Sequence, residues 1–335
     1  MTYSSLKMPK SLPRVSHSAR RTIAEAKPKG VLPFIIIGWL DKTSPPKPKP
    51  THTNLITSRV QILLGTHVTK GEYRNAERIR RSWDKHAATF DEWEETFSGA
   101  VQQHVDWELL KGYLPQDKDS KILDAAGGTG RITLPLAKMG YSVTLCDISP
   151  RMLDVARQKL LKEGVLDRVE ITECDVSRLR FIDETFDFVL CWGQSWMIEA
   201  LRELVRVLKK GGRISMLVGN RCAAAIDMFA KKPITALALL RSEESCVYYG
   251  RDKDVIVSVD EARKVFEEEG VRVIDVHARG MLKLLSIPEE VQHSHRWGGK
   301  FFRHTTEMLI ALCRESSLKG LAGNLILYGE RIGQA

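Results

Sequence analysis

The chain has no apolar run of membrane-spanning length. Its longest, residues 31–40, is ten residues and is interrupted by Pro33 and Gly38, about half of what a helical span requires. It has no CxxC pair either. The six cysteines stand apart at 146, 174, 191, 222, 246 and 313, a spacing that excludes a zinc ribbon or a small disulfide frame and reads as buried thiols in a reducing compartment. A third glycine is also missing. Counted from Gly128 and Gly130, a dinucleotide-binding turn would place it at 133, where the chain has Thr133. His293 and His295 have no third Cys or carboxylate at ligand spacing, so no metal site is expected.

Outside its first segment the chain also lacks net charge. Residues 1–67 hold eleven Lys or Arg against Glu25 and Asp41, leaving 40 basic and 40 acidic residues elsewhere. The overall +9 therefore describes that segment, and the remainder offers no bulk electrostatic argument for nucleic acid. Residues 1–67 are rich in Ser, Lys, Arg and Pro, with Ser-Pro-Pro-Lys-Pro-Lys-Pro at 44–50. They are expected to be disordered, or to be translated upstream sequence with the domain starting near Val68. An organelle transit peptide and a basic arm for RNA or membrane are the other readings. With 335 residues and 43% hydrophobic content, one large domain over 68–335 is expected.

Residues 121–130 read Lys-Ile-Leu-Asp-Ala-Ala-Gly-Gly-Thr-Gly. Ile122 and Leu123 belong to a short buried strand. Residues 124–130 form a tight turn that lets the backbone approach a ligand, and 131–139 start a helix. Residues 142–146 form the next strand, and Asp147 at its tip can accept from two ribose hydroxyls. Ser149 caps a helix over 150–163. Strands follow at 169–175 and 186–191, and a helix at 200–210 that ends in Lys-Lys-Gly-Gly. A strand at 213–218, helical sequence at 221–241, a helix at 259–269 and strands at 271–277 and 324–330 complete the pattern.

The spacing Asp124-x-Ala126-x-Gly128-x-Gly130 resembles motif I of the class I S-adenosylmethionine (SAM) dependent methyltransferases, with Ala126 at the usual first glycine. The likeness extends over residues 75–332 and includes Arg206-Val-Leu-Lys-Lys-Gly-Gly212. It implies an α/β fold: a Rossmann-like seven-stranded mixed sheet of order 3-2-1-4-5-7-6, last strand antiparallel, helices on both faces. SAM would be the cofactor. Its site would include Asp124, Ala126, Gly128, Gly130, Asp147, Ile148, Met152 and Cys191, with Asp175 accepting from the adenine amino group and the Val176 backbone reading the ring edge.

The acceptor has to be read outside those motifs. Trp83, Phe90, Trp93 and Phe97 recur at near-helical spacing in a helical cap over 72–115, a stripe that reads first as core packing. After the fourth strand, Trp192, Gln194 and Trp196 offer walls and hydrogen bonds. No Asn-Pro-Pro-Tyr or Pro-Cys motif is present, which argues against adenine-amino methylation and against Cys191 as a nucleophile. The 281–320 insertion is long for a strand connection and carries Arg296 and Trp297. Together with Asn220 this layout resembles the bacterial tRNA wobble-uridine carboxymethoxy methyltransferases. It departs from them at Gln194-Ser195-Trp196 and at Gln102, where that family has an Arg. The expectation is a small-molecule acceptor, with tRNA methylation and a non-catalytic SAM-binding subunit as alternatives. No general base is assigned. A cytoplasmic location is expected, or an organelle if the basic segment is a transit peptide.

Overall fold

The computed structural model describes residues 76–193, 198–242, 247–249 and 254–333. The expectations for residues 1–67 therefore lie outside the described residues, as do Gln194, Trp196 and Cys246.

Five parallel strands form the centre: β1 (Lys121–Ala125), β2 (Ser142–Asp147), β3 (Val169–Glu173), β4 (Phe186–Cys191) and β5 (Leu208–Asn220). They lie in the order β3-β2-β1-β4-β5. The sheet continues through β9 (Asn324–Arg331), antiparallel to β5, to β8 (Val271–Arg279), antiparallel to β9. This is the 3-2-1-4-5-7-6 order with its last strand reversed. The strand sequences are nearly continuous apolar runs such as Phe-Asp-Phe-Val-Leu-Cys, as a parallel sheet buried on both faces requires.

Helices flank the sheet on both faces. They are α1 (Ala76–His86), α2 (Phe97–Leu110), α3 (Thr133–Lys138), α4 (Pro150–Lys162), α5 (Ile198–Val207), α6 (Arg221–Phe229), α7 (Pro233–Leu240), α8 (Val259–Glu268), α9 (Glu289–Gln292) and α10 (Gly299–Arg314). A large buried cluster joins β1, β4, β5, β8 and β9 to α2, α5 and α8, and a smaller one around Leu145, Leu153 and Leu160 seats α4. Ser149 caps α4, accepting from the Met152 amide at 3.2 Å, and its hydroxyl donates to Asp84 of α1 at 2.6 Å. Ser258 and Glu261 form a capping box on α8.

The helix expected over 200–210 ends at Val207, and the Lys-Lys-Gly-Gly run already belongs to β5. Four further local expectations change. The helix after the glycine turn begins only at Thr133, because Gly128 and Gly130 hold positive φ angles of 56° and 73° and keep the chain in turns until then. The helical cap does not carry the near-helical aromatic spacing from Trp83 to Phe97 on one helix. It breaks after His86, passes through a 3-10 turn (Phe90–Glu95) and restarts as α2, where the Thr96 hydroxyl accepts from the Gly99 amide at 3.1 Å. At Gly99 a Cβ would lie 1.9 Å from the Trp93 carbonyl oxygen, so only glycine lets the two segments cross so closely.

The third change is an added hairpin, β6 (Val247–Tyr249) with β7 (Asp254–Val257). β5 continues past Met216, the last residue that β4 pairs with, and its residues 219–220 take β7 as a parallel neighbour. The fourth concerns cysteine. Cys146 and Cys174 form a disulfide across the β2–β3 edge, with Cα atoms 5.7 Å apart. Parallel pairing of Asp147 with Glu173 brings these residues together, something a linear spacing of 28 does not disclose. Cys191, Cys222 and Cys313 stand outside the disulfide.

The 281–320 segment contains α9, α10 and two 3-10 turns. It is anchored on α2 by aromatic rings: Phe97 stacks on Phe301 at 5.3 Å and meets Trp297 edge-on at 5.6 Å, and Trp297 stacks on Phe302 at 6.1 Å.

Candidate functional site

The carboxyl ends of β1, β2 and β4 converge on a cavity of about 400 Å³, the place where an open α/β sheet admits a ligand. The glycine turn forms its floor and is held to β2. The Gly128 amide donates to Asp147 Oδ2 at 3.0 Å, and the Ser149 amide to Asp147 Oδ1 at 2.9 Å. Each carboxylate oxygen keeps further lone-pair capacity while lining the cavity. Burial pushes the Asp147 carboxyl up, against the backbone amides of Ser149, Gly128 and Ile148. At the β4 tip Gly193 passes so close that a Cβ would meet that of Ala126 at 2.6 Å. Ala126 itself takes a left-handed conformation, φ 54°, which the family's glycine would adopt without penalty.

Asp124 is buried beside this turn and receives the Thr133 hydroxyl at 2.6 Å. Burial raises its pKa to about 6, with the Thr133 hydrogen bond and Arg131 opposing.

Of the residues expected to hold SAM, Asp124, Ala126, Gly128, Asp147, Ile148, Met152, Val176 and Cys191 line this one cavity. Gly130 and Asp175 do not. Gly130 packs under the turn near Ala156 and Thr133, and Asp175 accepts from the Ser177 amide and hydroxyl at 2.9 and 2.8 Å.

The acceptor candidates divide. Trp192 forms a wall, fixed by its indole N–H donating to Ser215 Oγ at 2.9 Å. Asn220 points into the fold instead. Its amide donates to the Lys319, Gly320 and Ala322 carbonyls, and its oxygen accepts from the Cys222 amide to cap α6. Arg296 is exposed, and Trp297 is packed on α2; neither lines the cavity. The aromatic stripe of the entry segment also splits. Phe97 is fully buried, whereas Trp83, Phe90 and Trp93 wall the cavity together with Ile79 and Leu217.

A polar group at the cavity edge was not anticipated. Asp106 of α2 is fully buried and takes Arg279 of β8 through Nε and Nη2 at 2.9 and 2.8 Å, Arg131 at 2.9 Å and the Gln102 amide at 2.7 Å. Burial disfavours its charge, but Arg279 and Arg131 outweigh that and hold its pKa below the ordinary value. Beside this pair lies Glu94. Its Oε2 accepts from Gln103 at 3.2 Å, while its buried Oε1 has no hydrogen-bond partner and lies 3.6 Å from Arg131 Nε. Burial raises the Glu94 pKa, as does Asp91, against Lys159 and Arg131. Glu94, Arg131 and Arg279 all line the cavity. The sequence carried one signal for them: Asp106 lies on the apolar face of a helix otherwise marked by Val101, Val105 and Leu109, and a buried acid there needs cationic partners.

Among the described residues no group of three or more His, Cys, Asp and Glu is arranged to hold a metal ion, and no helix is long and apolar enough to cross a membrane.

A family model for the methyltransferase domain matches residues 122–212. The ubiquinone/menaquinone biosynthesis C-methyltransferase UbiE of Pseudomonas aeruginosa strain LESB58 is 33% identical over 190 residues, which cover 53% of this chain and 73% of that protein. The chain belongs to the class I SAM-dependent methyltransferases. The UbiE protein of Ectopseudomonas mendocina is 34% identical over 157 residues, 44% of this methyltransferase and 59% of that relative. The chain thus spans about six-tenths of the length of several curated relatives. Among solved structures, the [4+2]-cyclase SpnF aligns with a TM-score of 0.52 at 16% identity, covering 78% of this chain and 98% of that one. A putative methyltransferase bound to the Haloferax volcanii Trm112 activator aligns at 0.50 and 17%, covering 75% and 98%. At such identities the likeness is one of fold.

SAM is the cofactor of this family, and the cavity fits it. Gly128 leaves open space where a side chain would stand. Asp147 offers a buried carboxylate for ribose hydroxyls, and Ile148, Met152 and Val176 supply apolar surface for a flat base.

Proposed function

We propose that the protein transfers the methyl group of SAM to a small, largely apolar acceptor, at a carbon atom. The observation that carries this reading is the continuity of the cavity. It runs from the glycine turn and Asp147 to a wall of Trp83, Phe90, Trp93, Trp192 and Leu217. Such a wall receives flat apolar groups and excludes water from the reaction. Relatives named as C-methyltransferases favour carbon as the receiving atom.

SAM, when bound, supplies a methyl group already activated by a sulfonium charge. The protein's own task is alignment and proton handling. Asp147 would orient the cofactor by accepting from its ribose, and Val176 would border the adenine, with Asp175 held outside the cavity lining by Ser177. Trp192, fixed on Ser215, holds the acceptor's plane. Glu94 is the group that takes a proton from the acceptor, because its buried Oε1 has no other hydrogen-bond partner and its raised pKa makes it a stronger base than an ordinary carboxylate. Arg131 and Arg279, each bound to Asp106, steady the negative charge that this leaves on the acceptor.

The test is formation of S-adenosylhomocysteine from SAM with separate cell fractions of lipids and small metabolites, and of RNA. Turnover should need the first fraction. Glu94→Gln should lower kcat by about 100-fold, within the range of general base catalysis, and leave SAM affinity unchanged. Turnover with the RNA fraction instead would move the acceptor to tRNA. Binding of SAM without turnover in any fraction would identify a non-catalytic SAM-binding subunit.

A further inference from the structure

β5 carries Leu217 in the cavity wall and runs on through Asn220 into α6. The α6–α7 hairpin therefore leaves the sheet at the same end as the glycine turn. Its inner face is complete: Ala225, Met228, Ala236 and Leu239 pack with Ile256 of β7. Its outer face is also apolar. Ile226 is 56% exposed, Phe229 54%, Ile234 73%, Leu237 44% and Leu240 48%. In α7, Pro-Ile-Thr-Ala-Leu-Ala-Leu-Leu, Thr235 is the one polar side chain. A helix apolar all round belongs in a core or against lipid, not in water.

Among the described residues of the hairpin, the exposed charges without an ionic partner have one sign. Four of the five charged residues in 221–242 are basic, and Glu243 and Glu244, which follow in the chain, lie outside the described residues. Arg221 is buried on Glu261, and Asp227 is paired with Lys283 at 3.1 Å. That leaves Lys231 and Lys232 exposed at the turn between Phe229 and Ile234, with Arg241 exposed at the end of α7. The covering surface must then be apolar inside and anionic outside. A second copy of this face would set Lys231 and Lys232 against their equivalents. The chain's own apolar segment, residues 31–40, lies in a stretch of eleven basic and two acidic residues and has the same sign.

We propose that the α6–α7 hairpin docks the protein on an anionic lipid surface. Phe229, Ile234 and Leu237 enter the boundary between headgroups and acyl chains, while Lys231, Lys232 and Arg241 meet the phosphates. The inference does not depend on the acceptor: it concerns where the protein sits, and its test uses no turnover.

The full chain is cosedimented with vesicles of equimolar phosphatidylglycerol and phosphatidylcholine, and with phosphatidylcholine alone. Wild type should pellet with the anionic vesicles and be released by salt. Lys231→Glu with Lys232→Glu should weaken that partitioning by about tenfold or more. Phe229→Ser, Ile234→Ser and Leu237→Ser together should abolish it. These side chains are exposed, so melting temperatures should hold, and the lysine variant tests the idea even if the apolar variant folds poorly. The proposal is overturned if wild type stays in the supernatant. It is equally overturned if both variants bind as wild type does, which would assign binding to the basic segment 1–67. Sedimentation velocity showing a wild-type dimer that the apolar variant converts to monomer would give the face to a second copy instead.

Discussion

Thr133 stands where a dinucleotide-binding turn would carry its third glycine, and its hydroxyl is given to Asp124 at 2.6 Å. Even with that hydrogen bond, burial raises the Asp124 carboxyl from 3.8 to about 6. The folded state thus holds this proton more tightly than the unfolded chain does. Stability should fall as pH rises from 3.8 to about 6, by roughly 3 kcal/mol in all, and level off above. Asp124→Asn keeps the acceptor for Thr133 without the ionisation. Thermal melts across this window should show a flatter profile for the variant, and parallel profiles would remove Asp124 as the cause.

Asp147 works in the opposite sense for the ligand. Its carboxylate, which the Gly128 and Ser149 amides favour against burial, is what two ribose hydroxyls would donate to. Asp147→Ala should weaken SAM at least about tenfold, since a hydrogen bond to a charged group contributes about 1.5–3 kcal/mol. Asp175→Ala should cost less, because that carboxylate is already engaged by Ser177. Titration calorimetry measures both. An unchanged dissociation constant for the Asp147 variant would take it out of the cofactor site.

Elements were legible in the sequence where a single segment carries its own signal. The strand–glycine turn–strand unit and the Ser149 cap have local chemistry, whereas the reversed last strand was implied by the family resemblance alone. The Val-Tyr-Tyr and Asp-Val-Ile-Val runs of β6 and β7 flank Gly250 and offered a hairpin pattern that went unread. Glu94, Asp106, Arg131 and Arg279 come from a 3-10 turn, α2, the glycine turn and β8, and only the folded sheet brings them together. The Cys146–Cys174 bond was invisible for the same reason.

The element that carries α10 admits a direct test of the RNA alternative. Trp297 and Phe302 pack against Phe97 and each other, Phe301 stacks on Phe97 but stays 46% exposed, and Arg296, Lys300 and Arg303 are exposed. That leaves at most one ring, Phe301, for the run of stacked bases that single-stranded RNA recognition uses. Reversing Arg296, Lys300 and Arg303 to Glu should therefore leave tRNA binding and its salt dependence as in wild type. A flattened salt slope with unchanged SAM affinity would restore the tRNA reading.

At the scale of the whole molecule, the net charge and the described fold lie in different parts of the chain. The +9 resides in residues 1–67, and the remainder is balanced at 40 of each sign. Among the described residues, the side chains that line the cavity, from Ile79 to Arg279, lie in the balanced part. Bulk electrostatics therefore cannot help to recruit SAM, and local groups such as Asp147 must do so. Deleting residues 1–67 should leave SAM affinity unchanged and move the melting temperature by no more than about 3 °C, since a segment rich in Pro, Lys and Ser has little apolar surface to bury. The exception within it is the run at 31–40, Val-Leu-Pro-Phe-Ile-Ile-Ile-Gly-Trp-Leu, which has enough apolar area to stabilise a fold by several kcal/mol if it were packed. Differential scanning fluorimetry of the truncated and full chains separates the two cases. A fall of ten degrees or so would mean that this run is part of the core, and the 68–335 domain boundary would have to move to include it.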